Sequence, residues 1–524
     1  MKKLEFDIYR DKVMGCWAGK NIGGILGAPF EGKREINQIE FYQQDLTAGP
    51  PPNDDLDLQI VFLSAVERYG RQINASILGE YWLSYIIPNW VEYGTGKANL
   101  RAGFVPPLSG FLDNTYKDSN GCWIRSELWA CLAPGHPEIA ARYAYEDAIV
   151  DHAGEGMYGE IFTAVVESAA FVEDDEEKLI EIGLSYIPEN SSLAKCIRTA
   201  LHCYKQNISF SDARKRVHNT APGTFGIQDI KISEIKKDGN EGLEMGRPGF
   251  DCPENIGFMI LGLLYGEGDF GKSICLANAC GEDTDCTAGT LGAILGIIGG
   301  ASRLPEKWMA PVDDRISTMC IDKTTSEIWV PDTATELTDR VIREAIIFIG
   351  QEYCDVLNKT GPVFYCAEGR NLYCADAGEY LKNIKGGNKS EALTVRELCE
   401  LSPYCVRFSF PCFRVILDYE GSVTIQSGIP KKIKVRVRNV NRMHQQQWVK
   451  ITLYLPEGAR TYGPSSAEMP LNNTYLYEAA AEFSIDADAF PGSRLEGVID
   501  VSLVGRHSSG AIKFVLVRDG KVPE

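Results

Sequence analysis

The hydrophobic period of this chain changes near residue 400, and that change restricts the fold more than any single motif. Upstream, apolar residues recur at helical spacing. Downstream, KKIKVRVRNV alternates strictly, with Ile433, Val435 and Val437 set against Lys434, Arg436 and Arg438. A helix cannot bury one face of an alternating pattern, nor a strand one face of a helical pattern. A fold of one secondary-structure class is therefore excluded. The expected organisation is an all-α bundle over residues 1–353, a connector over 354–400 carrying Gly361-Pro362 and Gly386-Gly387, and a β-sandwich over 401–524.

Helix signals fill the first part. Asp54-Asp55 leads into LDLQIVFLSAVERYG, with Gly70 as its exit, and Pro137-Glu138 opens another run. Further helices are expected at 254–265, 272–279, 287–298 and 338–353. The later segments WVKITLYLPEG, LYEAAAEFSID, LEGVIDVSLVG and AIKFVLVRDG read as strands separated by turn residues.

Charge narrows the function classes. The chain carries 53 basic and 72 acidic residues, net −19, which argues against a partner recognised through its phosphate backbone. Residues 401–524 hold 15 basic and 12 acidic side chains, so the excess of carboxylates lies wholly in the helical part. Such an excess suits a site that gathers cations. The start, MKKLEFDIYRDK, lacks the apolar core of an export signal, and the stretch Ala288–Ala301 is too short and too rich in glycine to span a bilayer. The expectation is a cytoplasmic protein whose sixteen cysteines, without C-x-x-C pairs, are mostly small buried thiols.

Carboxylates concentrate beside glycines in three places. GGILGAPFEGK contains Glu31, PPNDDLDLQ contains Asn53, Asp54, Asp55 and Asp57, and CGEDTDCTAGTLGAILG contains Glu282, Asp283 and Asp285. The last two each place hard oxygen ligands immediately before an apolar helix. One such pair alone reads more readily as helix capping. Two pairs brought together would crowd at least four carboxylates, which requires a compensating cation. All-oxygen donors suit Mg²⁺, Mn²⁺ or Ca²⁺, and the loop from Asp283 lacks the Glu at its twelfth position that an EF-hand requires.

The order of these three segments resembles the ADP-ribosylglycohydrolase family, in its dinitrogenase-reductase-activating type and a bacterial branch of it with a C-terminal extension. GILGAPFEG is similar to the first family motif and Asn278–Gly296 to the last. The segment IRSELWACLAPGHPEIAARYAYEDAIVDHAGEGMYGEIFTA is similar to the middle one, with His152 at the family's histidine. The resemblance implies an all-α catalytic domain with two Mg²⁺ (or Mn²⁺) ions. It implies Asn53, Asp54, Asp55, Asp283 and Asp285 as metal ligands, and Glu31 and Asp283 as the catalytic carboxylates. The implied reaction is hydrolysis of an ADP-ribosyl, N- or O-glycosidic bond by a metal-activated water.

This chain departs from the family pattern at three positions. Gly23-Gly24 replaces Gly-Asp, Asn53 replaces Thr, and Cys286 replaces the Thr after the last Asp. The last change leaves Thr287 as a substitute ligand or one metal place weakened. Two other functions stay open: hydrolysis of another furanoside or nucleoside, and a non-catalytic relative that binds ADP-ribose. Arg125 and His152 are candidates for substrate binding, each against an ordinary structural role. The partners implied are an ADP-ribosylated substrate or a small furanoside, with no nucleic acid or membrane; the sequence leaves the oligomeric state open. Gly154-x-Gly156-x-x-Gly159 and Gly266-x-Gly268-x-x-Gly271 fit a dinucleotide fingerprint by spacing, but neither follows an expected strand. Arg247-Pro248-Gly249-Phe250 reads as loop punctuation, or as cleft lining.

Overall fold

Four glycines spaced by four residues along one helix meet small residues along another, and this pair organises the helical region. A computed structural model of the chain describes residues 1–33, 35–221, 236–237, 244–245, 250–321, 327–359, 361–375, 393–439, 446–471, 478–487 and 492–519. After β1 (Lys2–Glu5) come α1 (Phe6–Gly27), α2 (Asp54–Tyr69), α3 (Ala75–Tyr85), α4 (Val91–Arg101), α5 (Leu108–Phe111) and α6 (Glu127–Leu132). Then follow α7 (Pro137–Ala148), α8 (Glu155–Ala170), α9 (Glu176–Leu184), α10 (Ser192–Lys205) and α11 (Phe210–Thr220). The short strands β2 (Lys236–Lys237) and β3 (Glu244–Met245) precede α12 (Cys252–Gly266), α13 (Phe270–Ala279), α14 (Thr284–Gly299), α15 (Glu306–Met309) and α16 (Ala334–Phe348).

α1 and α14 run antiparallel. A Cβ at Gly15 would fall on the Gly296 carbonyl, at Gly19 on that of Gly292, at Gly23 on that of Ala288 and at Gly27 on that of Thr284. Only residues without a Cβ allow two helix backbones this close. The glycines of AGTLGAILGIIGGA thus serve close packing. The ladder also fixes the rotation of α1, which sets Lys20 among α14 and its neighbours.

The expected helices are present with shifted ends, for local reasons. α2 begins after Asn53, whose side-chain oxygen accepts from the Asp55 N–H at 2.8 Å. It ends at Gly70, with φ 54°. α16 starts earlier than the periodicity implied, because Thr333 caps it, and stops before Gly350, which has φ 83°. Neither dinucleotide-like glycine triplet follows a strand: Gly154 caps α8, and Gly266–Gly271 forms the turn between α12 and α13. Among the described residues no helix is long and apolar enough to cross a membrane. Most cysteines are buried.

Contacts divide the chain into two units, Met1–Lys97 with Gly110–Cys374, and Ala98–Ser109 with Ala375–Glu524. In the first unit, β4 (Cys354–Asp355) and β5 (Val363–Cys366) join β1 in a small antiparallel sheet of order β1-β5-β4. The second unit holds a short helix, α17 (Val395–Cys399), and two five-stranded sheets. Its strands are β6 (Cys405–Ser409), β7 (Phe413–Asp418), β8 (Thr424–Ile425), β9 (Lys431–Asn439) and β10 (Gln447–Tyr454). They continue with β11 (Ala459–Thr461), β12 (Ser466–Leu471), β13 (Glu478–Ala487), β14 (Arg494–Leu503) and β15 (Ser509–Arg518).

The sheet orders are β12-β10-β14-β15-β8 and β11-β13-β9-β7-β6. Alternation sets the register. Ile433, Val435 and Val437 of β9 are buried and lie opposite Phe483, Ala481 and Ala479 of β13, which are buried too.

One buried histidine makes acid stability testable. Nε2 of His136 donates to the Tyr365 carbonyl at 2.9 Å, and its ring packs 4.2 Å from that of Tyr353. Burial lowers its pKa to about 4. Below the ordinary histidine value the unfolded chain takes up a proton that the native site refuses. Stability from this group is therefore complete above pH ~6.5 and falls as pH drops toward 4, by up to about 3 kcal/mol. The urea midpoint of His136→Gln should change less between pH 7 and pH 4 than that of the parent. Equal changes in both proteins would refute this assignment.

Candidate metal centre

Two turns and two helix starts converge to make the site. The backbone around Glu31 is pinned to the loop before α14: the Gly32 N–H donates to the Glu282 carbonyl and the Glu282 N–H to the Lys33 carbonyl, both at 2.9 Å. Glu282 itself adopts φ 66°, a conformation costly for a residue with a side chain. The turn delivers Asp283 to the first position before α14. Asp283 holds the N-cap place but makes no side-chain capping bond. Its Oδ2 instead accepts from Nδ2 of Asn120 at 2.7 Å, and its Oδ1 is buried without a hydrogen-bond partner.

The capping interpretation therefore fails for Asp283. It holds for Asn53, whose amide oxygen caps α2 and whose amide nitrogen fills the space beside Gly24.

Two groups of ligand atoms result, each with all its atoms within 4.8 Å of one another: Glu31, Asp283 and Asp285, and Asp55, Asp285 and Cys286. Asp285 belongs to both. Asp55, Asp283 and Asp285 are 1%, 4% and 7% exposed, whereas Glu31 stands at the solvent-facing rim. Oδ1 of Asp285, like Oδ1 of Asp283, accepts no hydrogen bond, and Oδ2 of Asp55 faces the Lys20 ammonium at 3.4 Å.

The electrostatics match that crowding. The Asp285 carboxylate, then burial and Asp54, push the Glu31 carboxyl up to about 8. Burial, then Glu31, pushes Asp283 up to about 7. Burial and Asp283 hold Asp285 far above the usual carboxylate range. Burial also raises Asp55 strongly, against the pull of Lys20. Buried oxygens without donors and mutually repelling carboxylates fit a hard divalent cation in the first group. The second group includes a thiol, a softer donor.

Half-buried Asp54 takes a bond from the Tyr93 hydroxyl at 3.2 Å, and its charge raises both Glu31 and Asp285. Asp54, Asp55, Asp283, Asp285 and Glu31 are thus brought together. Thr287 faces elsewhere: its buried hydroxyl donates to the Thr284 carbonyl at 3.2 Å, and the Cys286 sulfur lies beside Asp55 instead. Arg125 is fully buried. Its guanidinium meets Asp147 at 3.1 Å and Asp151 at 2.7 Å, a buried structural ion pair. His152 is buried as well, with Nδ1 3.0 Å from Asp151 and Nε2 2.9 Å from the Ser119 hydroxyl. Arg247, Pro248 and Gly249 lie outside the described residues.

Four further residues shape the site without having stood out in the sequence: Lys20, Tyr93, Asn120 and Asn255. The Asn120 amide is fixed at both ends, since its Oδ1 accepts from Trp123 Nε1 at 2.8 Å. Asn255 Oδ1 accepts the Asp283 N–H at 3.2 Å. The Asn120 loop is held in turn by the Phe250 carbonyl and by pairing of Ser119 with Asp251.

The chain is similar to known proteins. The family model described as ADP-ribosylglycohydrolase matches residues 6–344. An uncharacterized protein of Archaeoglobus fulgidus is 22% identical over 318 residues, which are 58% of this chain and 92% of that one. A chain solved in an ADP-ribosylglycohydrolase-related protein complex is 16% identical with a TM-score of 0.40, and the match covers 66% of this chain and 100% of that chain.

Proposed function

The chain belongs to the ADP-ribosylglycohydrolase family, and from that premise we propose that it is a divalent-metal-dependent hydrolase of the ribosyl bond in ADP-ribosyl conjugates. The observation that carries the reading is the convergence of Glu31, Asp283 and Asp285, with Asp54 and Asp55 beside them, around buried oxygens that accept no hydrogen bond. We take Mg²⁺ or Mn²⁺ as the ion, because the first group offers only carboxylate oxygens. When bound, such an ion supplies Lewis acidity to a water and to vicinal ribose hydroxyls.

The protein's own groups do the rest. Asn120 and the Asn255-bound backbone hold Asp283 in one orientation. Glu31, at the rim and free of helix-capping duty, accepts the proton of the attacking water. Tyr93 orients Asp54. We read the motif order as resembling the dinitrogenase-reductase-activating type, and the mostly buried thiols suit a reducing cytoplasm. The acidic charge speaks against a nucleic-acid partner.

The test is release of ADP-ribose from ADP-ribosyl-arginine and ADP-ribosyl-serine, run beside furanosides and nucleosides. Turnover is expected with Mg²⁺ or Mn²⁺ on an ADP-ribosyl conjugate and none in excess chelator. Undiminished hydrolysis in chelator overturns the metal role, and turnover confined to a simple furanoside or nucleoside reassigns the substrate. Tight binding of ADP-ribose without product after long incubation with metal would make the chain a binder.

A further inference from the structure

The two ligand groups share Asp285 but differ in what stands next to them. Beside Asp55 lies a lysine in the core of the protein, 2% exposed. Lys20 Nζ is 3.4 Å from Asp55 Oδ2 and 2.9 Å from Glu127 Oε1. It donates to the Ile124 carbonyl at 2.6 Å and to the Thr290 hydroxyl at 2.9 Å. The second oxygen of Glu127 is taken by Gln59 at 2.8 Å, so the partner of the ammonium is itself held. α1 cannot rotate to withdraw the lysine, because its glycines are seated on the α14 backbone. Gly289 of α14 lies against this pair: a Cβ there would make ordinary contacts, 3.4 Å from Asp55 Oδ2 and 3.5 Å from the Lys20 Cδ.

Building on the metal-dependent reading above, we propose that the Lys20 ammonium takes the place of a second divalent ion at Asp55, so that this chain holds a single divalent ion, at Glu31, Asp283 and Asp285. The placement of charge favours this arrangement. The ammonium is shared between Glu127 at 2.9 Å and Asp55 at 3.4 Å, so it offsets part of the Asp55 charge from a fixed position and without exchange with solvent. A dication entering among Asp55, Asp285 and Cys286 would meet that fixed positive charge. It would also have to accept sulfur, where hard ions prefer oxygen. The first group carries neither obstacle.

The experiment counts ions in the full-length protein by equilibrium dialysis with Mn²⁺ and elemental analysis, and reads their separation from the Mn²⁺ electron paramagnetic resonance spectrum. The expected result is one Mn²⁺ per chain with the hyperfine pattern of an isolated ion. Lys20→Gln is expected to admit a second Mn²⁺ that is spin-coupled to the first. Its affinity should rise by roughly a hundredfold or more when the fixed charge is removed. Should the single variant not fold, Lys20→Met with Glu127→Gln removes both buried charges together and tests the same point.

Two coupled ions in the parent protein overturn this inference and leave the hydrolase reading standing. A count that stays at one in a folded Lys20 variant overturns the part assigned to Lys20. No ion bound at all removes both the inference and the metal-dependent reading beneath it.

Discussion

Asp283→Asn is expected to lower turnover by roughly a thousandfold or more, the scale of losing several kcal/mol of metal-derived transition-state stabilisation, while the folded protein survives. The substitution is chosen because an amide oxygen at position 283 still accepts from Asn120, so the buried donor keeps its partner. What disappears is the anionic charge. In the ion-free protein that charge opposes folding, since burial and the nearby Glu31 carboxyl already push Asp283 up to about 7. The ion-free variant should therefore melt no lower than the parent. The parent should gain several degrees on saturation with Mg²⁺ or Mn²⁺, from the ~2.7 kcal/mol that a hundredfold excess over the dissociation constant supplies. The variant should gain almost nothing. Activity and a metal-induced melting shift that both survive in Asp283→Asn would show that this carboxylate holds no ion. A variant that fails to fold would show that the cluster is structural.

The parts of this design that were legible in the sequence are those written in local patterns. The change of period near residue 400 marks the switch from helices to sheets, because burial on one face of each element imposes its own spacing. Acidic residues directly before apolar helices marked Asp54, Asp55, Asp283 and Asp285; the structure groups Asp55, Asp283 and Asp285, with Asp54 near enough for its charge to act on Asp285. The spacing did not separate a cap from a ligand, because both occupy the same position. Asn53 caps its helix and Asp283 does not, a difference set by what lies across the fold.

Arg125 and His152 show the same limit. Their segment resembles a family motif, but the motif does not say that the fold turns both side chains inward onto Asp147 and Asp151 of the same segment, which helix packing decides. Lys20 carried a readable signal that local helix propensity hides. Its helical neighbours at three and four residues on either side are Cys16, Trp17, Gly23 and Gly24, all apolar or without a side chain. A lysine on such a face must be buried, and a buried ammonium needs carboxylate partners from elsewhere. Asn120 and Tyr93 had no comparable signal, since an amide or a phenol in a loop or helix is common in any soluble chain.

Gly19→Val is expected to cost more stability than any other single change on the helical face of the site. At Gly19 the obstacle is the backbone carbonyl of Gly292, and no rotamer change can relieve it. The helices must part, which opens space along Ile22, Ile25, Leu291 and Ile294, all now buried. The expected loss is roughly 3 kcal/mol or more by urea denaturation, at the upper end of overpacking penalties. Gly299→Ala, at the last residue of the partner helix α14, is the control. The nearest atom to a new Cβ there is the Arg303 Cβ at 3.5 Å, an ordinary contact. That variant should be neutral or gain up to about 1 kcal/mol from a stiffer unfolded chain. Any Gly19→Val protein that remains folded should also bind Mn²⁺ more weakly, because separating α1 from α14 moves the Glu31 turn away from Asp283 and Asp285. Parental stability in Gly19→Val would mean that the two backbones do not meet at this point, and the placement of Lys20 beside Asp55 would fall with it.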